Sequence, residues 1–339
     1  MSDLHLFSYF RPASSGSGHG RILVPEQHLV VGAGPVGRHV AAILAERGDR
    51  VVLGSRSGRG PEIAGVTNVA LDATDPDALT RAADGASAIF HTANPGPYPV
   101  WDRQWPLMSS ALLTATERTG AVYAMAGNLY PLGPVTAPMH EGMPDDARDH
   151  LGALRARVWA DALAAHRAGR IRAFEVRGSD YIGGESAAGH IGRALPTALK
   201  GKTVRMVGRV DTPHTFTDVN DVARLLVTVY DAPDAHGRVW HVPSHAPRTQ
   251  RQMIDEFLDL AGIPRVAVRG MSPASLRTLG LFSPLLREVA QLSYQLMRPY
   301  VLDATAATER FSFAPSPWGD TLHRTLRAAG WQPDRPRRI

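Results

Sequence analysis

The feature that most constrains this chain is a set of three glycines, Gly32, Gly34 and Gly37, with the spacing G-x-G-x-x-G. They follow the short apolar run HLVV and open the segment VGRHVAAILAERG, in which apolar residues recur at helical spacing. The pattern predicts a strand, a tight turn and a helix. In such a turn the first glycine permits the bend, the second admits a pyrophosphate to the backbone N–H groups, and the third allows close helix packing. These glycines, with Pro35 and Val36 at the helix start, are therefore predicted to bind a dinucleotide.

The alternation of strand and helix patterns continues to about residue 178. Short apolar runs predict strands at residues 50–55, 67–72, 86–92, 121–126 and 172–178. Helical spacing predicts helices at residues 77–83, 105–119 and 151–168. The fold class is therefore predicted to be α/β, a doubly wound parallel sheet of the Rossmann type with a smaller, mixed α/β C-terminal substrate domain. Ligands of such sheets bind at the carboxyl ends of the strands.

The chain is predicted to have four parts. Residues 1–26, which include SSGSGHG, are expected to form a flexible leader. Residues 27–180 are predicted as the nucleotide-binding domain and residues 181–332 as a substrate-binding domain interleaved with it. Residues 333–339 are expected to form a basic tail.

The C-terminal part has a less regular pattern. Strands are predicted at residues 204–207, 214–217 and 238–242. Helices are predicted at residues 190–199, 219–231 and 249–261, the last with Thr249 and Gln252 in a capping box. A long apolar helical stretch is predicted at residues 273–297.

The composition is that of a folded globular protein, since 44% of the 339 residues are hydrophobic and 20% are charged. The absence of cysteine excludes disulfides, thiolate nucleophiles and cysteine-ligated metals, so we expect a reducing, cytoplasmic location and no metal site. No apolar run approaches the roughly 18 residues of a membrane span, so no membrane partner is expected. The net charge of +5 comes mostly from arginines scattered among acidic residues, so no nucleic-acid partner is expected.

The end of the second predicted strand bears on the choice of cofactor. A carboxylate there would bind the ribose 2′-hydroxyl of NAD, but the segment contains Ser55, Arg56 and Arg59 instead. Arg56 could clamp a 2′-phosphate and Ser55 could donate its hydroxyl, which favours NADP over NAD. The alternative is that Arg56 and Arg59 are solvent-exposed loop residues. Asp72, after the third strand, is predicted either to accept from the adenine amino group or to cap the following helix.

Four further segments carry a family resemblance. They are ANP at residues 93–95, VRGSDYIG at 176–183, HTFTDVNDVA at 214–223 and WHVPS at 240–244. Together with the glycine turn, over about residues 28–329, they resemble an extended short-chain dehydrogenase/reductase of the NAD-dependent epimerase/dehydratase type. The resemblance implies a loop under the nicotinamide ribose at Ala93 and Asn94, a turn near the nicotinamide at Asp180 and Tyr181, and a possible homodimer.

The chain departs from this resemblance at the catalytic positions. The family usually has Tyr-x-x-x-Lys on the helix after the fifth strand, but here Leu151 and Arg155 stand there. The strand-end hydroxyl is replaced by Ala126 or Gly127. Arg155 can still hold ribose hydroxyls.

Proton transfer then needs another donor. Tyr130, which follows the fifth strand with Asn128, is our first choice, because residues after a parallel strand point into the crevice. The other candidates are Asp180, Tyr181, Tyr98 and His140. Substrate contacts are predicted for Tyr98, Trp101 and Phe216.

Three functions remain open. The first is an NADP-dependent reductase of a small, apolar or aromatic carbonyl, enone or imine substrate, with Tyr130 or water as the proton source. The second is a non-catalytic NADP-binding or redox-sensing protein. The third is a nucleotide-sugar epimerase or dehydratase, which needs a strong base that this chain lacks at the family position. The site chemistry favours the first.

Overall fold

The computed structural model of the protein describes residues 25–184 and 189–332. The predicted tail and all but two residues of the predicted leader lie outside these ranges. The strands are β1 (Gln27–Val31), β2 (Arg50–Ser55), β3 (Val66–Ala70), β4 (Ala88–His91), β5 (Val122–Asn128), β6 (Arg172–Gly178), β7 (Asp180–Ile182), β8 (Val204–Val207), β9 (Phe216–Asp218), β10 (Val239–His241) and β11 (Val268–Met271).

Helices flank these strands along the described chain. They are α1 (Pro35–Glu46), α2 (Pro76–Ala82), α3 (Trp101–Thr119), α4 (His150–Arg167), α5 (His190–Ala198), α6 (Val219–Tyr230), α7 (Gln250–Leu260), α8 (Pro273–Gly280), α9 (Pro284–Gln291), α10 (Thr305–Phe311) and α11 (Trp318–Ala328). None of these described helices is long and apolar enough to cross a membrane.

Seven of the strands form one parallel sheet in the order β10-β6-β5-β4-β1-β2-β3. The strand order reverses between β1 and β4, which is where a doubly wound sheet opens a crevice at the carboxyl ends of its strands. The predicted fold class is therefore confirmed.

Alternate residues of each strand feed two cores, as the two-residue period of a strand requires. Leu29 and Ile89 point to the face covered by α2, α3 and α4, whereas Val30 and Phe90 point to the face covered by α1 and α6. Helices thus cover both faces of the sheet, and the crevice opens at the carboxyl ends of the strands.

The residues after β6 form a smaller C-terminal unit and also contribute to the main sheet. β8 pairs with β11 and β7 pairs with β9, and a third core lies between α5, α7 and α11. However, α6 and β10 belong to the main sheet and its core. Residues beyond the predicted boundary at 180 therefore complete the main sheet and its core.

Two local predictions have opposite outcomes. The capping box is confirmed, because the backbone N–H of Gln252 donates to Thr249 Oγ1 and that of Thr249 donates to the Gln252 side chain. The long helix at residues 273–297 is wrong, because α8 ends at Gly280 and α9 begins at Pro284. Ser283 caps α9 and proline occupies its first position, where a missing N–H costs nothing, and this pair starts a new helix. The structure also adds β7, β11, α10 and α11, which the patterns did not predict.

His91 at the end of β4 makes the stability of this core depend on pH. Its Nδ1 lies 2.6 Å from the hydroxyl of Tyr123, and its burial lowers the pKa to about 3. The histidine of the unfolded chain titrates near its ordinary pKa of about 6.5. The stabilisation from neutral His91 is therefore complete above about pH 6.5 and is lost as the pH falls toward about 3.

We expect His91→Gln to reduce the acid sensitivity of unfolding by about 1.4 kcal/mol per pH unit below pH 6.5. The measurement is the free energy of unfolding in urea between pH 7.5 and pH 5. His140→Gln, at an exposed loop position, serves as the control and should keep the wild-type slope. Equal slopes for the wild type and His91→Gln would contradict the expectation.

Candidate active site

A cavity of about 340 Å³ lies at the carboxyl ends of the central strands. It is bounded by the start of α1, the segment after β4, the ends of β5 and β6, α4, and the start of α5. Twelve of the predicted site residues line it: Gly34, Pro35, Val36, Ala93, Asn94, Tyr98, Trp101, Asn128, Tyr130, Arg155, Asp180 and Tyr181.

The glycine turn forms one wall of the cavity. Gly32 has a φ of +113°, which favours glycine, and Gly34 is the N-cap of α1 without a side-chain cap. A Cβ at Gly37 would lie 1.9 Å from the carbonyl oxygen of Gly32, whereas a Cβ at Gly34 would meet no atom within 4 Å. Gly32 and Gly37 therefore shape the turn without lining the cavity, and Gly34 leaves open space before the first N–H groups of α1.

The predicted adenosine end lies outside this cavity. Ser55 Oγ donates to the carbonyl of Arg59 at 2.9 Å, and Arg56 is exposed. Asp72 accepts from the backbone and hydroxyl of Thr74, and these bonds lower its pKa. Arg56 lowers the pKa of Asp72 further, so the two side chains share one electrostatic environment.

Arg155 in α4 places a buried guanidinium beneath the cavity. It lies 4.0 Å from the centroid of the Trp105 ring, and its Nη2 lies 3.7 Å from Oε1 of Glu175. Nη2 also donates to the carbonyl of Ala126 at 3.4 Å. Within residues 25–184 and 189–332, its Nε and Nη1 have no hydrogen-bond partner. Arg155 thus retains unused donors beside the cavity.

A second arginine holds the partner of Arg155. Arg177 donates through Nε to Glu175 at 2.7 Å and through both terminal nitrogens to Asp145 at 2.6 and 2.8 Å. Glu175 is fully buried, so its ionised form depends on these two arginines. The chain Arg155–Glu175–Arg177–Asp145 therefore balances two positive charges with two negative ones.

Two tyrosine hydroxyls meet on the other side of the cavity. The hydroxyls of Tyr98 and Tyr130 lie 2.8 Å apart, and the Tyr130 ring stacks on Trp101. Burial raises the pKa of both tyrosines above the ordinary value. Asn128 accepts from the backbone N–H of Tyr130, which fixes the turn after β5. Both phenols are consequently held in the protonated form.

Pairing of β7 with β9 brings together a group that sequence reasoning missed. Nε2 of His214 lies 3.1 Å from Oδ2 of Asp180, and Asp180 also interacts with His190. Asp180 and His190 line the cavity together with Tyr300, whose ring stacks on His214. Asp180 was predicted as a cofactor contact, but its pairing with the two histidines was not predicted, because residues 180, 190 and 214 meet only through the fold.

Two predicted residues lie elsewhere. Phe216 is buried between β7, α5 and α7 in the C-terminal core and does not line the cavity, which disagrees with its predicted contact to substrate. His140 is exposed and accepts from the backbone of Gly142. Tyr181 lines the cavity, but its hydroxyl donates to the carbonyl of Gly127 and is already used. No cluster of three or more metal-ligating side chains occurs in the described parts of the chain.

Comparison with known proteins agrees with this architecture. The profile of the NAD dependent epimerase/dehydratase family matches residues 28–242, more than half of the chain. The chain belongs to this family. No curated protein sequence matches it.

Solved structures with the same fold include family enzymes. The dTDP-glucose 4,6-dehydratase of Bacillus anthracis strain Ames in complex with NAD is 14% identical, with a TM-score of 0.73 over 90% of this chain and 96% of that one. MoeE5 in complex with UDP-glucose and NAD is 20% identical, with a TM-score of 0.72 over 90% and 98%. An epimerase from Methanothermobacter thermautotrophicus is 16% identical, with a TM-score of 0.74 over 90% and 92%. At these identities the likeness shows a shared fold.

The positions that the sequence resemblance aligns with the family's catalytic residues lie together in this structure. Leu151 and Arg155 occupy successive turns of α4, and Ala126 and Gly127 lie near the end of β5 beside Arg155. Lys200 and Lys202 are exposed after α5, and no lysine of the described residues lines the cavity. A Cβ at Gly127 would lie 2.1 Å from Oε1 of Glu175. Glycine at this position therefore provides the space for the Glu175 carboxylate.

We expect Gly127→Ala to destabilise the protein by about 1–3 kcal/mol, because Glu175 is buried and held by Arg177 and cannot move away freely. The measurement is the free energy of unfolding in urea. Gly34→Ala is the matched control and should cost under about 1 kcal/mol, because its added Cβ meets no atom. Shortening the clashing side chain in the double variant Gly127→Ala/Glu175→Asp should recover part of the loss. A Gly127→Ala protein as stable as the wild type would show that Glu175 does not fill this space.

Proposed function

We propose that this protein is an NADP-dependent reductase that acts on a small apolar or aromatic carbonyl, enone or imine compound. The observation that carries the proposal is the pair of protonated hydroxyls, Tyr98 and Tyr130, in an aromatic cavity next to the glycine turn. Members of the family share a dinucleotide-binding fold, and solved neighbours have NAD bound.

The residues present fit a nicotinamide dinucleotide. Gly34 leaves space for a pyrophosphate in front of the N-terminal N–H groups of α1, where the helix dipole favours an anion. Arg155 has two unused donor nitrogens beside the cavity, which suit ribose hydroxyls. Arg56 is exposed where a 2′-phosphate would reach the end of β2. The bound cofactor would supply the hydride, and the protein supplies position and a proton.

The tyrosine pair supports the reductive direction. A phenol with a raised pKa is protonated at neutral pH, so Tyr130 can donate a proton to a carbonyl oxygen as negative charge develops there. Tyr98, 2.8 Å away, can return a proton to Tyr130. The same raised pKa leaves almost no Tyr130 phenolate at neutral pH to act as the base that oxidation of an alcohol needs. Trp101, stacked against Tyr130, helps to exclude water from this end of the cavity.

A nucleotide-sugar epimerase or dehydratase is the second candidate, and both the family and one feature of the cavity favour it. Arg193 and His190 line the cavity and also a second groove of about 170 Å³, to which Arg205 contributes. Two guanidinium groups beside one groove suit a diphosphate. This reaction returns the hydride to the sugar and so consumes no cofactor. A non-catalytic NADP-binding protein is the third possibility, and it predicts binding without turnover.

The proposal is tested by following NADPH consumption by the purified protein with aromatic ketones, enones and cyclic imines, and sugar conversion with UDP-glucose and dTDP-glucose. We expect NADPH loss with at least one compound of the first group. Sugar conversion without net NADPH loss would support the second candidate instead. Tight NADPH binding with no turnover in any assay would support the third.

For the cofactor, we expect Arg56→Ala to raise the Kd for NADPH about tenfold to a hundredfold, because charge-assisted hydrogen bonds contribute about 1.5–3 kcal/mol. The Kd for NADH should not change, since NADH has no 2′-phosphate. The measurement is titration calorimetry with both cofactors, and Arg59→Ala in the same loop is the control. Equal effects of Arg56→Ala on NADPH and NADH would contradict a role in binding the 2′-phosphate.

For the proton donor, we expect Tyr130→Phe to lower kcat for ketone reduction by a factor of about 10² to 10⁴ while the Kd for NADPH stays the same. Tyr98→Phe should have a smaller effect, because Tyr98 acts through Tyr130. Tyr230→Phe on α6 is the control, since its hydroxyl bonds to Glu26 and Tyr230 does not line the cavity. An unchanged kcat in Tyr130→Phe would assign proton donation to another group.

A further inference from the structure

Asp180 places a carboxylate inside the cavity at a position where the resembling family motif, R-x-x-N-V-Y-G-P, has asparagine. It begins β7, directly after the turn that follows β6. Its side chain is 18% exposed, and this remaining surface borders the cavity. A carboxylate in a confined space repels a bound phosphate or carboxylate and attracts a cation.

The groups around Asp180 keep it ionised. Burial opposes ionisation, but His214 at 3.1 Å and His190 outweigh it and lower the pKa of Asp180. Burial also lowers the pKa of His190, so most of this stabilisation of the carboxylate comes from His214. The hydroxyls of Tyr98 and Tyr130 lie close enough for Asp180 to raise their pKa values. The carboxylate therefore faces neutral phenols across the cavity.

Aromatic faces surround the same space. Tyr98 packs edge-on against Trp101 with ring centroids 4.9 Å apart, and the Tyr130 ring stacks on Trp101. Tyr300 lines the cavity from the far side with its ring against His214. Aromatic rings beside a carboxylate form the recognised environment for an organic cation.

Within the described residues, Asp180 is paired with His214, and neither arginine that lines the cavity forms an ion pair with it. Arg155 is balanced by Glu175 and lies over Trp105, on the α4 side of the cavity. Arg193 in α5 is exposed, and its positive charge acts on Tyr98. A ligand cation can therefore reach Asp180 without displacing an arginine.

We propose that Asp180, together with the rings of Tyr98, Trp101 and Tyr300, selects a cationic nitrogen, so that the substrate of the proposed reductase is a protonated imine. The reaction in this inference rests on the proposed function, but the binding of a cation at Asp180 does not depend on it. The same carboxylate would repel the negative charge of a nucleoside diphosphate.

The reaction balances without a strong base. The C=N carbon of the iminium gains a hydride from reduced nicotinamide, a C–H bond forms, and the π electron pair moves onto nitrogen. The positive charge of the iminium is thereby cancelled, and the product is a neutral amine that takes a proton from water. Because the substrate brings its own proton, the hydride step needs no acid or base at the Tyr-x-x-x-Lys positions that this chain has replaced.

Binding tests the inference without turnover. We expect protonated 1,2,3,4-tetrahydroisoquinoline to bind the full chain at least tenfold more tightly than isochroman, its neutral oxygen analogue, in titration calorimetry at pH 7. Asp180→Asn should remove this preference and leave isochroman binding unchanged. Asp211→Asn, at an exposed carboxylate paired with Arg251, is the control and should keep the preference. Equal affinities of the wild type for both compounds would overturn the inference even if Asp180→Asn did not fold.

Activity separates this inference from the proposed function. With NADPH, we expect faster reduction of 3,4-dihydroisoquinoline than of 1-tetralone, and Asp180→Asn should lower kcat/KM at least tenfold for the imine only. Tyr130→Phe should slow the ketone more than the imine, because the iminium already carries its proton. Reduction of the ketone with no preference for cationic ligands would overturn the inference, while the proposed reductase activity would still be supported. Preferential binding of the cation with no NADPH consumption would support the cation site and contradict the proposed reductase activity.

Discussion

The close packing of α1 against the turn after β1 is the constraint on which the site depends. Gly37 lies so near the carbonyl of Gly32 that a side chain has no room, and this contact directs the N-terminus of α1 toward the crevice. The N-terminal N–H groups have no partners within the helix and carry partial positive charge. The reversal of strand order between β1 and β4 then leaves open the space in front of them.

The buried charges on the other side of the cavity depend on one another. The guanidinium of Arg155 is large, buried and permanently charged, and a buried charge is costly unless it is paired. Glu175 supplies the pair, Arg177 and Asp145 balance Glu175, and Gly127 leaves it the space it fills. These residues of α4, β5 and β6, with Asp145, therefore form one connected arrangement.

The same cavity has two electrostatic poles. Arg155 provides free donors near the α4 side, and Asp180 provides a carboxylate near β7. Between them lie phenols that are held protonated by burial. Protonated phenols suit the proposed chemistry, which is hydride delivery to an electron-poor carbon and not proton abstraction by a tyrosine. A shared fold permits this chemistry because the fold positions the cofactor and the site residues set the reaction.

The sequence by itself determined the parallel sheet, the glycine turn and the strand ends, because these depend on periodicity and local spacing. Most of the twelve predicted site residues that line the cavity end or follow a strand, or begin a helix, whereas Arg155 lies within α4. Only the tertiary structure decided that α8 and α9 are separate, that Phe216 faces the C-terminal core, and that Asp180 meets His190 and His214. Contacts between distant segments depend on how strands pair and helices pack, and no local pattern records that pairing.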